Sequence, residues 1–142
     1  MGKSVHRLPM TIDLQQCRDN FRQRTATQRE AREALRLQAR EDIVAAILEI
    51  VPAYPEIAQV YLFGSITQPG QFGHHSDIDI AVAGTDAATY FSLWRDLEAA
   101  YPERLIDLRE INQPGHFTTI VRQTGELIYE CRSSPAKGEH RC

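Results

Sequence analysis

The segment VYLFGSITQPGQFGHHSDIDIAVA, residues 60–83, contains two strands and the loop that joins them. Val60-Tyr61-Leu62-Phe63 is a run of β-branched and bulky apolar residues, the composition of a buried strand. Gly64-Ser65 stops it, and the turn-formers Pro69-Gly70 and Gly73 follow. In Ser76-Asp77-Ile78-Asp79-Ile80 acid and isoleucine then alternate. Residues two apart on a strand share a face, so the spacing predicts Asp77 and Asp79 on one side and Ile78 and Ile80 on the other. The apolar side packs, and two carboxylates stand together at the sheet surface.

Like charges at that spacing repel, and a cation offsets the repulsion. Mg²⁺ is typically held by one or two carboxylates plus the phosphate oxygens of its substrate. A glycine permits close backbone approach to a phosphate, to which a neighbouring hydroxyl and N–H can donate. Each half alone has an ordinary explanation: Gly-Ser is usually a turn, and Asp-x-Asp a solvated strand edge. Taken together, Gly64-Ser65 after one strand, a loop, and Asp77-x-Asp79 on the next resemble the signature of the DNA polymerase beta-type nucleotidyltransferase superfamily. Within it the chain is most similar to the minimal nucleotidyltransferase (MNT) family, the antitoxin component of HEPN/MNT toxin–antitoxin systems.

At 142 residues and 42% hydrophobic content the chain is expected to form one domain with a real core. No apolar run reaches the length of a membrane span, and MGKSVHRLPM lacks a signal peptide's apolar core. Cys17, Cys131 and Cys142 are odd in number and widely spaced. That suits a reducing, cytoplasmic compartment and argues against a disulfide framework or zinc site. The net charge of −3 hides an asymmetry: residues 1–42 hold nine Lys/Arg and six Asp/Glu, the remainder seven and thirteen. The basic part could meet an acidic partner, though a solvated helix face explains it as well. A net acidic chain without an aromatic-studded basic patch argues against direct nucleic-acid binding.

Residues 1–25 show no clean period and are expected to form an irregular or partly helical N-terminal extension. Thr27-x-x-Glu30 suits a capping box. Beyond it Leu35, Ala39, Ile43, Ala46/Ile47 and Ile50 recur at helical spacing, with Arg32, Arg36 and Arg40 near the opposite side. This helix is expected to end at Pro52. Gly84 ends the Asp-x-Asp strand, and Thr85-Asp86 can cap a helix that runs to about Ala100. In the next strand, Arg104–Ile111, Leu105, Asp107 and Arg109 share one face and Ile106, Leu108 and Glu110 the other. An acid among aliphatics is costly to bury unpaired. On the pattern alone Asp107 is in water on an edge strand or paired with Arg109. His116–Gln123 reads as a short helix closed by Gly125, and Glu126–Glu130 as a last strand. Residues 26–131 would form the catalytic domain and 132–142 a flexible polar tail.

Alternating helices and strands give an α/β (α+β) chain. The resemblance implies a mixed, twisted β-sheet with helices packed against it, over about residues 43–131. It also implies that Asp77, Asp79 and Asp107 are the catalytic and metal-binding carboxylates, holding two Mg²⁺ ions, and that Gly64 and Ser65 bind the phosphates of ATP. The reaction implied is AMP transfer from ATP to a hydroxyl, a tyrosine, of a HEPN-type toxin partner. Two other readings stay open: transfer to a small molecule or nucleic acid, and a catalytically decayed module that neutralises a toxin by binding. Two departures from the family pattern stand out. The loop between Gly-Ser and Asp-x-Asp has eleven residues rather than ten. Ile66 and Gln68 occupy positions where relatives carry arginine, and Arg122 is a candidate substitute. His74-His75 reads as a solvated loop pair.

Overall fold

The computed structural model describes residues 13–132. The expected polar tail and the first twelve residues of the expected extension lie outside them, Arg132 apart. The chain divides between Ala31 and Arg32 into two compact units, and helix α1, Leu14–Ile50, has residues in both.

In the first unit the helix starts earlier than its period predicts. Asp13 is the cap: its carboxylate accepts from the Gln15 and Gln16 N–H groups at 3.0 and 3.2 Å. Thr27 is helical and donates back to the Gln23 carbonyl at 2.9 Å, so the expected capping box is not a cap. Residues 14–31 hold no glycine or proline and are almost wholly exposed. A helix that is polar all round carries no amphipathic signal, which is why the period began only later.

In the second unit Arg36, Ala39, Ile43 and Ile47 form the buried stripe of α1. The expectation that the arginines face away from the core fails at Arg36. Four strands follow: β1, Gln59–Phe63; β2, Ile78–Ala83; β3, Ile106–Glu110; and β4, Glu126–Glu130. They form one sheet in the order β3-β2-β1-β4. β1 is antiparallel to β2 and β4, and β2 is parallel to β3, giving the mixed sheet expected.

Alternation along the strands sorts the two faces. Val60, Leu62, Ile78, Ile80, Val82, Ile106 and Leu108 form one core with the stripe of α1 and with Leu93 and Leu97 of helix α2, Ala87–Ala100. Asp86 caps α2, accepting from the Thr89 N–H at 2.7 Å. Trp94 and Tyr90 donate to the Ile106 and Leu108 carbonyls and so tie α2 to β3. A second, smaller cluster of Tyr61, Ala81, Ala83, Ile111 and Val121 joins the sheet to helix α3, His116–Thr124. Among the described residues no helix is long and apolar enough to cross a membrane. Cys17 is a free, exposed thiol, and Cys131 is buried.

Candidate active site

The site begins where β1 ends. Phe63 is extended, and Gly64 then turns into the left-handed region with φ +71°. There the chain enters a 3-10 turn, Gly64–Thr67. A side chain at Gly64 would overlap Asp79 Oδ2, and its Cβ would stand 3.1 Å from Asp79 Cγ. Glycine is needed for two reasons at once, backbone conformation and close approach. The turn is closed by the Thr67 hydroxyl donating to the Gly64 carbonyl at 2.7 Å and by the Gln68 N–H donating to Ser65 at 3.1 Å. Ser65 is half-exposed, and its hydroxyl has no partner among the described residues.

Asp79 lies on β2, directly across from Phe63 on β1 and from Asp107 on β3. The three residues are therefore neighbours across three adjacent strands on one sheet face. Asp79 is half-buried, and its carboxyl is pushed up to about 6. Burial is the largest cause, followed by the negative charges of Asp107 and Asp77, with Arg109 pulling the other way. Asp77 is exposed and sits one residue before β2 begins. It is near enough for its charge to be felt at Asp79, but it is not within the strand, as the alternation suggested.

The loop leading to Asp77 is anchored despite its extra residue. Phe72 is fully buried, and Arg104 stacks on its ring at 4.3 Å. The same guanidinium donates to the Gly73 and Ser76 carbonyls, both at 2.8 Å. The Gly73 N–H donates to the Ser76 hydroxyl at 2.8 Å. These bonds fix the chain immediately before Asp77.

Asp107 occupies the position expected of a third carboxylate, yet it is also paired with Arg109, Nε to Oδ1 at 3.1 Å. Asp107 thus lies on an edge strand, paired with Arg109 and beside Asp79. Among the described residues no three acids, histidines or cysteines are arranged as a ready metal cage. The donor set still suits Mg²⁺. It is all oxygen, it gathers negative charge at a cost visible in Asp79, and one or two carboxylates suffice where phosphate completes the shell. Asp77 and Asp79 could hold such an ion, and Asp107 could join once released from Arg109.

Ile66 is fully buried, so position 66 serves the core here, while Gln68 is exposed just past the turn. Arg122 donates to Gln59 and lies 5.9 Å from the Tyr61 ring centroid. That is the end of β1 opposite Gly64, so Arg122 does not replace the missing arginines. His74 and His75 are exposed in the loop, as expected. Sequence reasoning missed the pairing of Phe63 with Phe117 of α3, edge to face at 5.4 Å. No period could show it, because the two lie on elements far apart in the chain.

The family model for polymerase beta nucleotidyltransferases matches residues 45–134. Among solved structures the chain is similar to a toxin–antitoxin pair crystallised with AMP-PNP, at 26% identity and TM-score 0.52, over 61% of this chain and 73% of that one. It also matches the MntA–HepT toxin–antitoxin, at 22% identity and TM-score 0.43, over 63% and 68%. A third match is the complex of a tri-AMPylated Shewanella oneidensis HEPN toxin with its MNT antitoxin, at 23% identity and TM-score 0.43, over 62% and 70%. Among curated proteins none matches the chain.

Proposed function

The chain belongs to the polymerase beta nucleotidyltransferase family, and on that premise we propose that it transfers AMP from ATP, with Mg²⁺, to a tyrosine hydroxyl of a HEPN-type toxin and so acts as its antitoxin. The observation that carries this reading is the pressing of Gly64 against Asp79, which itself stands beside Asp107. That arrangement sets the glycine turn next to clustered carboxylates. The AMP-PNP-bound toxin–antitoxin structure supports both the choice of nucleotide and the class of partner. A protein consuming ATP in this way would work in the cytoplasm.

Chemically, the Ser65 hydroxyl and the backbone at Gly64 receive the outer phosphates. Asp77 and Asp79 would hold Mg²⁺, two ions in the family's manner, and the charge so supplied offsets that building on the phosphate oxygens. The acceptor oxygen attacks the α-phosphorus, the bond to the β-phosphate oxygen breaks, and pyrophosphate leaves. Asp107 takes the hydroxyl proton once Arg109 has let it go. Incubating the chain with a HEPN-type partner, ATP and Mg²⁺ should raise the partner's intact mass by one or more AMP units. An unchanged mass, with the two proteins still bound to each other, would instead favour a second reading. Because Asp107 is engaged by Arg109, that reading is neutralisation by binding without transfer.

A further inference from the structure

One charged side chain on the buried stripe of α1 takes no part in this chemistry. Arg36 is 9% exposed, among the least accessible charged groups of the described residues. A leucine or methionine would fill that place in the stripe without the cost of taking a cation out of water. Two partners offset the cost. Glu33, one turn earlier, accepts from Arg36 Nε at 3.1 and 3.0 Å and also from Nη2. Arg36 Nη1 donates across to the Ile66 carbonyl at 3.0 Å. Glu33 is held below the usual carboxylate range mainly by Arg36, with burial opposing and a smaller lowering from the Gly70 N–H. The pair thus reaches the turn at Ile66.

This accounts for every carbonyl of the turn up to Ile66. Gly64 is taken by the Thr67 hydroxyl, Ser65 by the Gln68 N–H and Ile66 by Arg36. The three oxygens that would repel a phosphate are each committed to a donor. Ile66 also sinks its side chain fully into the core, which anchors the same residue by a second route.

We infer that Arg36, clamped by Glu33, is a positioning residue: through the Ile66 carbonyl it holds the Gly64–Thr67 turn in the shape that receives the nucleotide's triphosphate. It does not touch the nucleotide. The inference rests on the nucleotidyltransferase reading above. It places a cation behind the phosphate loop of a chain that lacks arginine at positions 66 and 68.

Arg36→Met keeps the apolar stem and removes the donors, and Arg36→Lys restores one donor. Two readouts on the full chain test them. Amide hydrogen exchange without ligand should quicken at residues 64–68 in Arg36→Met while the sheet is unchanged. The dissociation constant for a fluorescent ATP analogue with Mg²⁺ should weaken roughly ten- to a hundredfold, with part recovered in Arg36→Lys. Unchanged loop exchange, or faster exchange spread over the whole sheet, overturns the brace. Faster loop exchange with unchanged ATP affinity overturns its positioning role. Should Arg36→Met fail to fold, Glu33→Gln, at the more exposed end of the pair, carries both readouts with smaller shifts expected in the same directions. A wild-type chain that binds no Mg²⁺–ATP overturns the transferase reading instead, and the exchange arm still decides whether the brace exists.

Discussion

Gly64 and Asp79 stand so close across β1 and β2 that Gly64 has no room for a side chain. The first residue of the Gly64–Thr67 turn and the half-buried carboxylate are one structural unit. Gly64→Ala should therefore cost about 1–3 kcal/mol, from a left-handed alanine and from displacement of Asp79. Adding Asp79→Ala should recover part of that stability, since the overlap is gone, and none of the ATP binding. Urea unfolding of the two single variants and the double variant measures the coupling. Strict additivity would separate the two residues.

The raised carboxyl of Asp79 has a consequence for stability. Its pKa is about 6 in the fold against an ordinary 3.8, so between those values the folded protein binds more protons than the unfolded chain. The Asp79 contribution is full below about 3.8 and is lost as pH rises through about 6. For a half-exposed group the effect should be about 1 kcal/mol. Asp86 and Glu126, both held low, work in the opposite sense. The check is thus the difference between wild type and Asp79→Asn in metal-free buffer: the advantage of wild type at pH 4 should shrink by pH 7.

Mg²⁺ alone should raise the melting temperature only slightly, because no ready cage of three ligands exists among the described residues. Mg²⁺ with ATP should raise it clearly, by an increment equivalent to about 2.7 kcal/mol at a hundredfold excess over Kd. Thermal shift with EDTA, Mg²⁺, ATP and both together separates these. A large shift from the metal alone contradicts the shared protein–phosphate site.

Gln68 lies exposed just past the turn, so an arginine there has open space from which to reach phosphate. Gln68→Arg should tighten ATP binding roughly ten- to a hundredfold, the worth of one charge-assisted contact. Ile66→Arg should instead unfold the protein, since position 66 is fully buried. Equilibrium binding and circular dichroism on the two variants check the contrast.

Asp107 should matter to transfer and little to ATP affinity. Asp107→Asn removes the proton acceptor, a loss of about 10²–10⁴-fold in rate. Stability should change by less than about 1 kcal/mol, because the partner lost is a solvent-exposed arginine. Single-turnover transfer to the partner, set beside ATP binding, measures both. Near-normal transfer would return Asp107 to the role of a surface ion pair.

What was legible in the sequence was whatever periodicity reports. The strand at residues 60–63, the isoleucine face of 78 and 80, the α2 cap at Asp86 and the run from His116 to Glu130 all stand as the pattern reads. The first half of α1 was illegible because a helix with no apolar face has no period to detect. Arg36 was misplaced because charge suggests solvent, whereas its partners lie 3 and 30 residues away in sequence. Asp77 was assigned to the strand by alternation, but pairing starts only at Ile78. The proximity of Asp107 to Asp79 needed the parallel register of β2 and β3, which no local signal specifies.

The central claim is that this carboxylate face moves a nucleotidyl group. Parallel reactions with ATP labelled at the α- or the γ-phosphate, with Mg²⁺ and a HEPN-type partner, test it most directly. Label from the α-position should enter the partner, and label from the γ-position should leave as pyrophosphate. Both signals should vanish with Asp79→Asn. Label from the γ-position retained on the partner, or transfer undiminished in Asp79→Asn, would contradict the account.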